Sequence, residues 1–319
     1  MEHVSDDLDR DLPGEYGLME SSDRIFSKTV PPDLEEVLIP YLRSRYTKGQ
    51  FDRFAGYSEQ AARERAHTLL PEYIESAEDK WKELGPIVEK YLGRKPRNIL
   101  EVGSGIGHVP FMLSNVYPEA TIVGCEIEPE AVAVARRLNL PKGNCNFILS
   151  GIEDFEYQNG VFDFVHCGQV IEHVVSPERA IRRMIDLMAT GGVLCLQCPN
   201  YLFPYEPHAS CWMLPGGPKS LVKLILRLRG QDTGFIDDVR MEVNIVRVKR
   251  WLRNAGRVEW LDLNDAKIDA VLINDNGNGL RAPGVVSWIK RLGLAPMAAW
   301  TLRRLPFAPS VSLLVKKLG

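Results

Sequence analysis

Glu101, Gly103, Gly105 and Gly107 alternate with other residues in the run Asn98-Ile99-Leu100-Glu101-Val102-Gly103-Ser104-Gly105-Ile106-Gly107. A short apolar segment that ends in an acid and then breaks into three glycines reads as a buried strand, a tight turn and the first turn of a helix running through Pro110 to Val116. Glycine lets a ligand approach the backbone closely, and the free N–H groups of a helix N-terminus can face an anionic group. Loops of this kind bind nucleotides. The spacing argues against two common kinds. A dinucleotide fingerprint would put its third glycine at position 108, which is His108, and no Gly-Lys-Ser/Thr follows for a P-loop.

A second acid follows about twenty residues later, at the end of the apolar run Ala120-Thr121-Ile122-Val123-Gly124-Cys125-Glu126. At the tip of a second strand a carboxylate can accept from both hydroxyls of a ribose. Glu128-Pro129-Glu130 then opens a helix, with proline suited to its first position. Asn146 to Leu149 reads as a third strand, followed by Ser150-Gly151-Ile152-Glu153-Asp154. Val161 to Cys167 reads as a fourth, followed by Gly168-Gln169-Val170-Ile171-Glu172-His173-Val174. Ser176-Pro177-Glu178 has the form of a helix start with a capping serine. Gly191 to Asn200 reads as a fifth strand.

In this order and at these distances the motifs resemble those of the class I S-adenosylmethionine (SAM) dependent methyltransferases, and in particular the subfamily that includes ubiquinone-pathway O-methyltransferases. The resemblance covers roughly Pro96 to Asn200 and the closing strands. It implies an α/β fold, a Rossmann-like seven-stranded methyltransferase sheet with an N-terminal helical cap and two insertions, and SAM as cofactor. By the same resemblance Gly103, Ser104, Gly105 and Gly107 line the methionine part and Glu101 supports the loop. Glu126, with Ile127 beside it, holds the ribose, Ile152 and Glu153 flank the adenine, and Gly168 and Gln169 lie near the sulfur. Gly151 departs from the pattern, standing where the family often has an acid that reaches the adenine amino group.

The resemblance also implies the chemistry. Methyl transfer from a sulfonium is an in-line displacement, so the protein must align nucleophile, methyl carbon and sulfur. A hydroxyl nucleophile must lose a proton, which makes His173 and His208 the candidate bases. The implied acceptor is a small molecule, a hydroxyl oxygen of a lipid, quinone or sugar-type intermediate, with N- or C-methylation as alternatives. Some relatives hold a divalent ion with an acid followed by Glu-His. Glu172-His173 match, but Gln169 replaces the first acid, and no metal is assigned. His108 and His166 read as structural.

The rest of the chain must position these groups. Its 319 residues exceed one simple domain of this kind, and a formal net charge of −3 at pH 7 gives no electrostatic case for a nucleic-acid partner. The acidic residues 2–24 lack an apolar core and no uninterrupted apolar run has membrane-spanning length, so a cytoplasmic location is expected, with contact at the inner membrane surface as a further option. Most of the six cysteines fall in expected strands, and Cys195 and Cys198, three apart on one strand, should point to opposite faces.

The expected organisation is an N-terminal segment over 1–57, partly disordered, a helical cap over 58–95, and the SAM-binding domain over 96–319. Tyr46, Phe51, Phe54 and Tyr57 are candidate lid aromatics. Val246 to Asn254 reads as a helix, Val258 to Leu263 as strand six and Ser310 to Val315 as the last strand, leaving insertions at about 201–244 and 264–309. Within the first, Lys219, Lys223 and Arg227 form one stripe of a helix and Leu221, Leu224, Ile225 and Leu228 its apolar side. The second mixes Trp288, Ile289, Lys290, Arg291, Leu292, Trp300, Leu302, Arg303 and Arg304. Such patterns suit either a lid over an apolar pocket or a membrane interface. A non-catalytic scaffold and a membrane-surface protein remain the competing classes, and the intact glycine loop with Glu126 favours the enzyme.

Overall fold

The computed structural model describes residues 31–47, 59–206, 211–230, 233–272, 283–304, 306 and 308–319. In chain order the elements are α1 (Pro32–Thr47), α2 (Glu59–Leu92), β1 (Asn98–Val102), α3 (His108–Val116), β2 (Thr121–Glu126), α4 (Pro129–Asn139), β3 (Cys145–Leu149), β4 (Phe162–Gly168), α5 (Pro177–Leu187) and β5 (Met188–Pro199). There follow β6 (Tyr205–Glu206), β7 (Cys211–Trp212), α6 (Lys219–Leu228), α7 (Phe235–Asp238), α8 (Ile245–Ala255), β8 (Val258–Asp262), α9 (Leu263–Leu272), α10 (Pro283–Arg291), α11 (Ala295–Arg304) and β9 (Ser310–Lys317).

Among the described residues seven strands form one sheet in the order β3-β2-β1-β4-β5-β9-β8, and β6 pairs with β7 in a separate small ribbon. Strands β1 to β5 pair in parallel, while β9 runs antiparallel to both β5 and β8. The sheet is apolar on both faces, as parallel strands covered by helices require. On one face Ile99, Ile122, Phe164, Val193, Cys195 and Leu314 pack with Trp81 and Val88 of α2 and Met112 and Leu113 of α3. On the other, Leu100, Val123, Val165, Leu194, Cys198 and Leu313 pack with Ile181 and Met184 of α5 and Val248 and Trp251 of α8. Cys195 and Cys198 therefore do lie on opposite faces.

The expected helical cap is one continuous helix, α2, which buries Ala66, Leu69, Leu70, Ile74, Ala77, Trp81 and Val88 along one side at helical spacing. Helix α1 was missed. Within the segment read as the N-terminal tail, α1 buries Leu34, Leu38, Tyr41 and Leu42 against Ala131, Val134 and Leu138 of α4. Prolines at 31, 32 and 40 concealed it, although Pro32 sits in the first turn, where the missing N–H costs nothing. Phe51, Phe54 and Tyr57 lie outside the described residues, as does the side chain of Tyr46.

Other corrections are local. Leu263 begins α9 instead of ending strand six, because Asp262 accepts from the Asn264 backbone N–H and turns the chain. β5 starts at Met188, before the glycine pair, with an irregular register against Phe162 and Phe164. Ser176 does not cap α5 with its side chain; its own N–H donates to Glu153 Oε1 at 2.6 Å. In α6 the buried residues are Val222 and Leu226, whereas Leu224 and Leu228 of the expected apolar side are exposed.

The two insertions take different positions. Residues of the first, including Met213, Val222, Leu226, Ile236, Val239 and Met241, join the core beneath α5 and α8, so this insertion is a packed cover. In the second, Leu272 of α9 meets Ala295 and Ala299 of α11 in a small separate cluster. Asn200, buried at the end of β5, ties the two together. Its side-chain amide donates to the carbonyls of Pro306 and Ala308, and its Oδ1 accepts from the N–H of Ile245.

Candidate functional site

The strand order reverses beside β1, whose neighbours are β2 and β4, and ligands of open α/β sheets sit beyond the carboxyl ends of strands at such a point. The glycine loop leaves β1 there. Gly103, Gly105 and Gly107 all have positive φ, at 66°, 51° and 80°. Their surroundings differ. A Cβ on Gly103 would lie 2.4 Å from a Val170 methyl, and one on Gly107 2.8 Å from the Ala135 Cβ. A Cβ on Gly105 would meet nothing within 4 Å. The loop is therefore clamped at both ends and open in its middle.

Ser104 holds the turn through its backbone, its N–H donating to the Cys125 carbonyl and its carbonyl accepting from the Gly107 N–H. Its side chain packs over Gly124 of β2. Asn139 of α4 donates to the Gly107 carbonyl at 3.1 Å, a second anchor that the loop's own sequence does not reveal.

Glu126 closes the arrangement from β2. Oε2 accepts from the Gly105 N–H at 2.9 Å, and Oε1 from the N–H groups of Ile127 and Glu128 at 2.7 and 3.1 Å. The carboxylate is thus oriented by three backbone donors at the strand tip. Ile127 beside it is 68% exposed, and its Cγ2 would lie 3.4 Å from a Cβ on Gly151. An apolar side chain faces a glycine there, which leaves room for a flat ring against Ile127. Ile152 is buried in the core, and the Glu153 carboxylate accepts from the Ser176 N–H at the start of α5.

Glu101 is buried. It faces His166, its register partner on β4, whose Nδ1 lies 2.9 and 2.8 Å from the two carboxylate oxygens. Burial pushes the Glu101 carboxyl up, with His166 opposing the shift. Burial alone would push the His166 imidazole down, but the Glu101 charge and hydrogen bond outweigh it and the net shift is upward. The pair sits directly beneath the end of β4, since a Cβ on Gly168 would lie 3.1 Å from His166 Cε1. His166, read from the sequence as merely structural, is therefore the partner that locks Glu101.

Gln169 is the one non-glycine residue with positive φ among the described residues, at 59°. Its N–H donates to the Gln197 carbonyl at 2.8 Å, which holds the chain in this turn at the mouth of the site. Beyond it, His173 lies on the rim, its side chain 43% exposed, with Nε2 4.0 Å from Oε1 of the buried Glu172. The other candidate base, His208, lies outside the described residues.

These residues fit a nucleoside bearing an amino-acid tail. The loop is open at Gly105, a carboxylate held by three backbone N–H groups stands beside it, and the exposed Ile127 adjoins Gly151. A family model described as a methyltransferase domain matches residues 94–230. Ajmaline N-methyltransferase of Rauvolfia serpentina is 33% identical over 106 residues, 32% of this chain and 36% of that protein. Methyltransferase str2 of Strobilurus tenacellus is 27% identical over 185 residues, 54% of this chain and 62% of its own length. The ubiquinone biosynthesis O-methyltransferase of Xanthomonas euvesicatoria pv. vesicatoria (strain 85-10) is 30% identical over 160 residues, 50% of this chain and 61% of that one. The chain thus spans between 36% and 62% of the length of these curated relatives.

Proposed function

This chain carries a class I SAM-dependent methyltransferase domain, and on that premise we propose that the protein moves a methyl group from SAM to a hydroxyl oxygen of a small molecule of lipid, quinone or sugar type. The observation that carries the cofactor half is the Glu126 carboxylate, held by three backbone N–H groups beside the open middle of the glycine loop. The acceptor half rests on the resemblance to quinone-pathway O-methyltransferases and on His173 at the rim. Nitrogen is the competing acceptor atom, since one relative is by name an N-methyltransferase.

When bound, SAM supplies an electrophilic methyl carbon on a sulfonium. Glu126 would hold the ribose hydroxyls, and the open middle of the loop at Gly105 would receive the methionine part. Gln169 and Gly168 shape the wall at the reacting end. His173 takes the hydroxyl proton as the oxygen attacks, with His208 as the second candidate for that role.

Calorimetric titration of SAM into the wild type and Glu126→Ala tests the cofactor half. The variant should bind at least about tenfold more weakly, a loss of ~1.4 kcal/mol, and unchanged affinity would sink the assignment. Methyl-labelled SAM added to deproteinised host extract tests the acceptor. Base-stable label in the organic fraction, absent with Glu126→Ala and reduced in His173→Ala or His208→Ala, is the expected result. Label found on amines would replace oxygen by nitrogen.

A further inference from the structure

We propose that His166 of β4, oriented by Glu101, and Lys80 of α2 form a carboxylate-binding subsite at the tip of β4. Its ligand is the carboxylate of the cofactor's amino-acid tail or one on the methyl acceptor, and the second source rests on the transfer proposed above. The imidazole is presented to the crevice. Nδ1 is committed to the two Glu101 oxygens, at 2.9 and 2.8 Å. Among the described residues Nε2 has no hydrogen-bond partner, and 14% of the side chain stays exposed. A glycine makes the opening. Residues 166 and 168 share one face of the strand, and a Cβ on Gly168 would lie 3.1 Å from Cε1 and 3.4 Å from Nε2. A larger residue there would cover the ring edge. Glycine leaves it bare beside the β1–β4 crevice, where ligands of such sheets sit.

The groups around the ring choose an anion. Among the described residues Glu101 is the one acid whose charge acts on His166, and Lys80 is the cation that opposes it. Lys80 comes from the cap side, one residue before Trp81, whose ring meets Phe164 of β4 at 5.7 Å between centroids. It is exposed and makes no ion pair among the described residues. Helix α3 adds the partial positive charge of its N-terminus and begins at His108, whose Nδ1 is buried without a hydrogen-bond partner. The Lys80 charge acts on His108 as well. On β5 the register partner of His166 is Cys195, a buried thiol. One carboxylate therefore answers an ammonium, an imidazolium and a helix N-terminus, and a second would complete the balance through charge-assisted hydrogen bonds.

The proton on Nε2 is what such a ligand reads. A carboxylate behind an imidazole fixes Nδ1–H toward itself and stabilises the imidazolium, which then donates from Nε2. Against burial and the Lys80 charge, Glu101 holds the His166 imidazole above its ordinary value. The Nε2 donor is thus present below that raised pKa and lost as pH rises through it, and ligand affinity should fall in the same window. A second carboxylate favours the imidazolium further, which makes proton uptake on binding the signature of the contact.

Calorimetry with SAM and with decarboxylated SAM, at pH 6 and pH 8 and in buffers of different ionisation heat, tests this. His166→Asn keeps a donor toward Glu101 and ends short of Nε2, while Lys80→Met changes an exposed position and leaves the core untouched. If the cofactor supplies the carboxylate, His166→Asn binds SAM about tenfold and Lys80→Met several-fold more weakly at pH 6. His166→Asn then also loses the proton uptake, and decarboxylated SAM binds all three proteins alike. The cofactor's own amino group titrates at about pH 8 with every protein, so the readout is the difference from wild type. If the acceptor supplies the carboxylate, SAM binds all three alike. Methyl-labelled product from host extract is then retained on an anion exchanger with wild type and lost with both variants. Equal SAM binding with no acidic product lost in the variants overturns the subsite. So does a SAM affinity that rises with pH in wild type and not in His166→Asn, the sign of an ammonium ligand. A cofactor contact stands whether or not any hydroxyl is methylated, so failure of the subsite and failure of the proposed function are told apart.

Discussion

Gly105 and Gly107 share a positive φ and differ in what surrounds them. Alanine at Gly105 meets only the left-handed backbone penalty, about 1 kcal/mol, because nothing lies within 4 Å of its Cβ. Alanine at Gly107 adds overlap with Ala135 at 2.8 Å, for a total of about 3 kcal/mol. Gly105→Ala should therefore melt close to the wild type and bind SAM at least about tenfold more weakly, whereas Gly107→Ala should melt well below both. Thermal unfolding without ligand and calorimetry with it separate the two effects, and equal behaviour would refute the distinction. At this scale the sequence was partly legible. Spacing identified the loop and Glu126, but three glycines look identical until Val170 and Ala135, distant in sequence, are known to press on two of them. Glu101 was found without its partner, because register between β1 and β4 decides that His166 lies opposite it.

The elements show why local pattern succeeds and where it stops. Buried parallel strands are continuous apolar runs, so the strands around the site could be read directly. Helix α1 could not, because its apolar residues are few and its prolines argue against a helix until α4 supplies the surface to pack on. Helix α3 begins at His108, whose ring packs against Tyr73 of α2 at 5.1 Å between centroids. Burial, then the charges of Lys80 and His166, push the His108 imidazole down to about 4, from 6.5. A depressed pKa contributes stability that is present above the unfolded value and lost as pH falls through the folded one. Unfolding free energy should thus decline by on the order of 2 kcal/mol between pH 6.5 and pH 4 from this group. His108→Gln should flatten that part of the curve, as urea titrations at several pH values would read. A variant that declines as steeply as wild type would contradict the assignment.

On the scale of the whole molecule, α1 links the far side of the fold to the cofactor loop. Arg45 pairs with Glu128 at 2.7 Å, and the Glu128 N–H is one of the three donors that orient Glu126. Leu38→Asp/Leu42→Asp should detach α1, at a cost above about 3 kcal/mol for two buried charges, and weaken SAM binding several-fold while the sheet stays folded by circular dichroism. Unchanged SAM affinity in a variant shown to have lost α1 would break this link. Insertions were visible in sequence only as lengths and as basic amphipathic patterns. Which neighbour the cations of a basic helix bind depends on a residue such as Asp237, which no periodicity reveals. The cysteines give the sheet a built-in reporter. Cys195 belongs to the layer under α2 and α3, and Cys125, Cys167 and Cys198 to the layer under α5 and α8. Burial pushes the Cys125 thiol up to about 12 and those of Cys167 and Cys198 well above their ordinary value, so they are inert while covered. The alkylation rate of each, resolved peptide by peptide in a mass spectrometer, therefore times the breathing of one helical layer with the opposite layer as its internal reference.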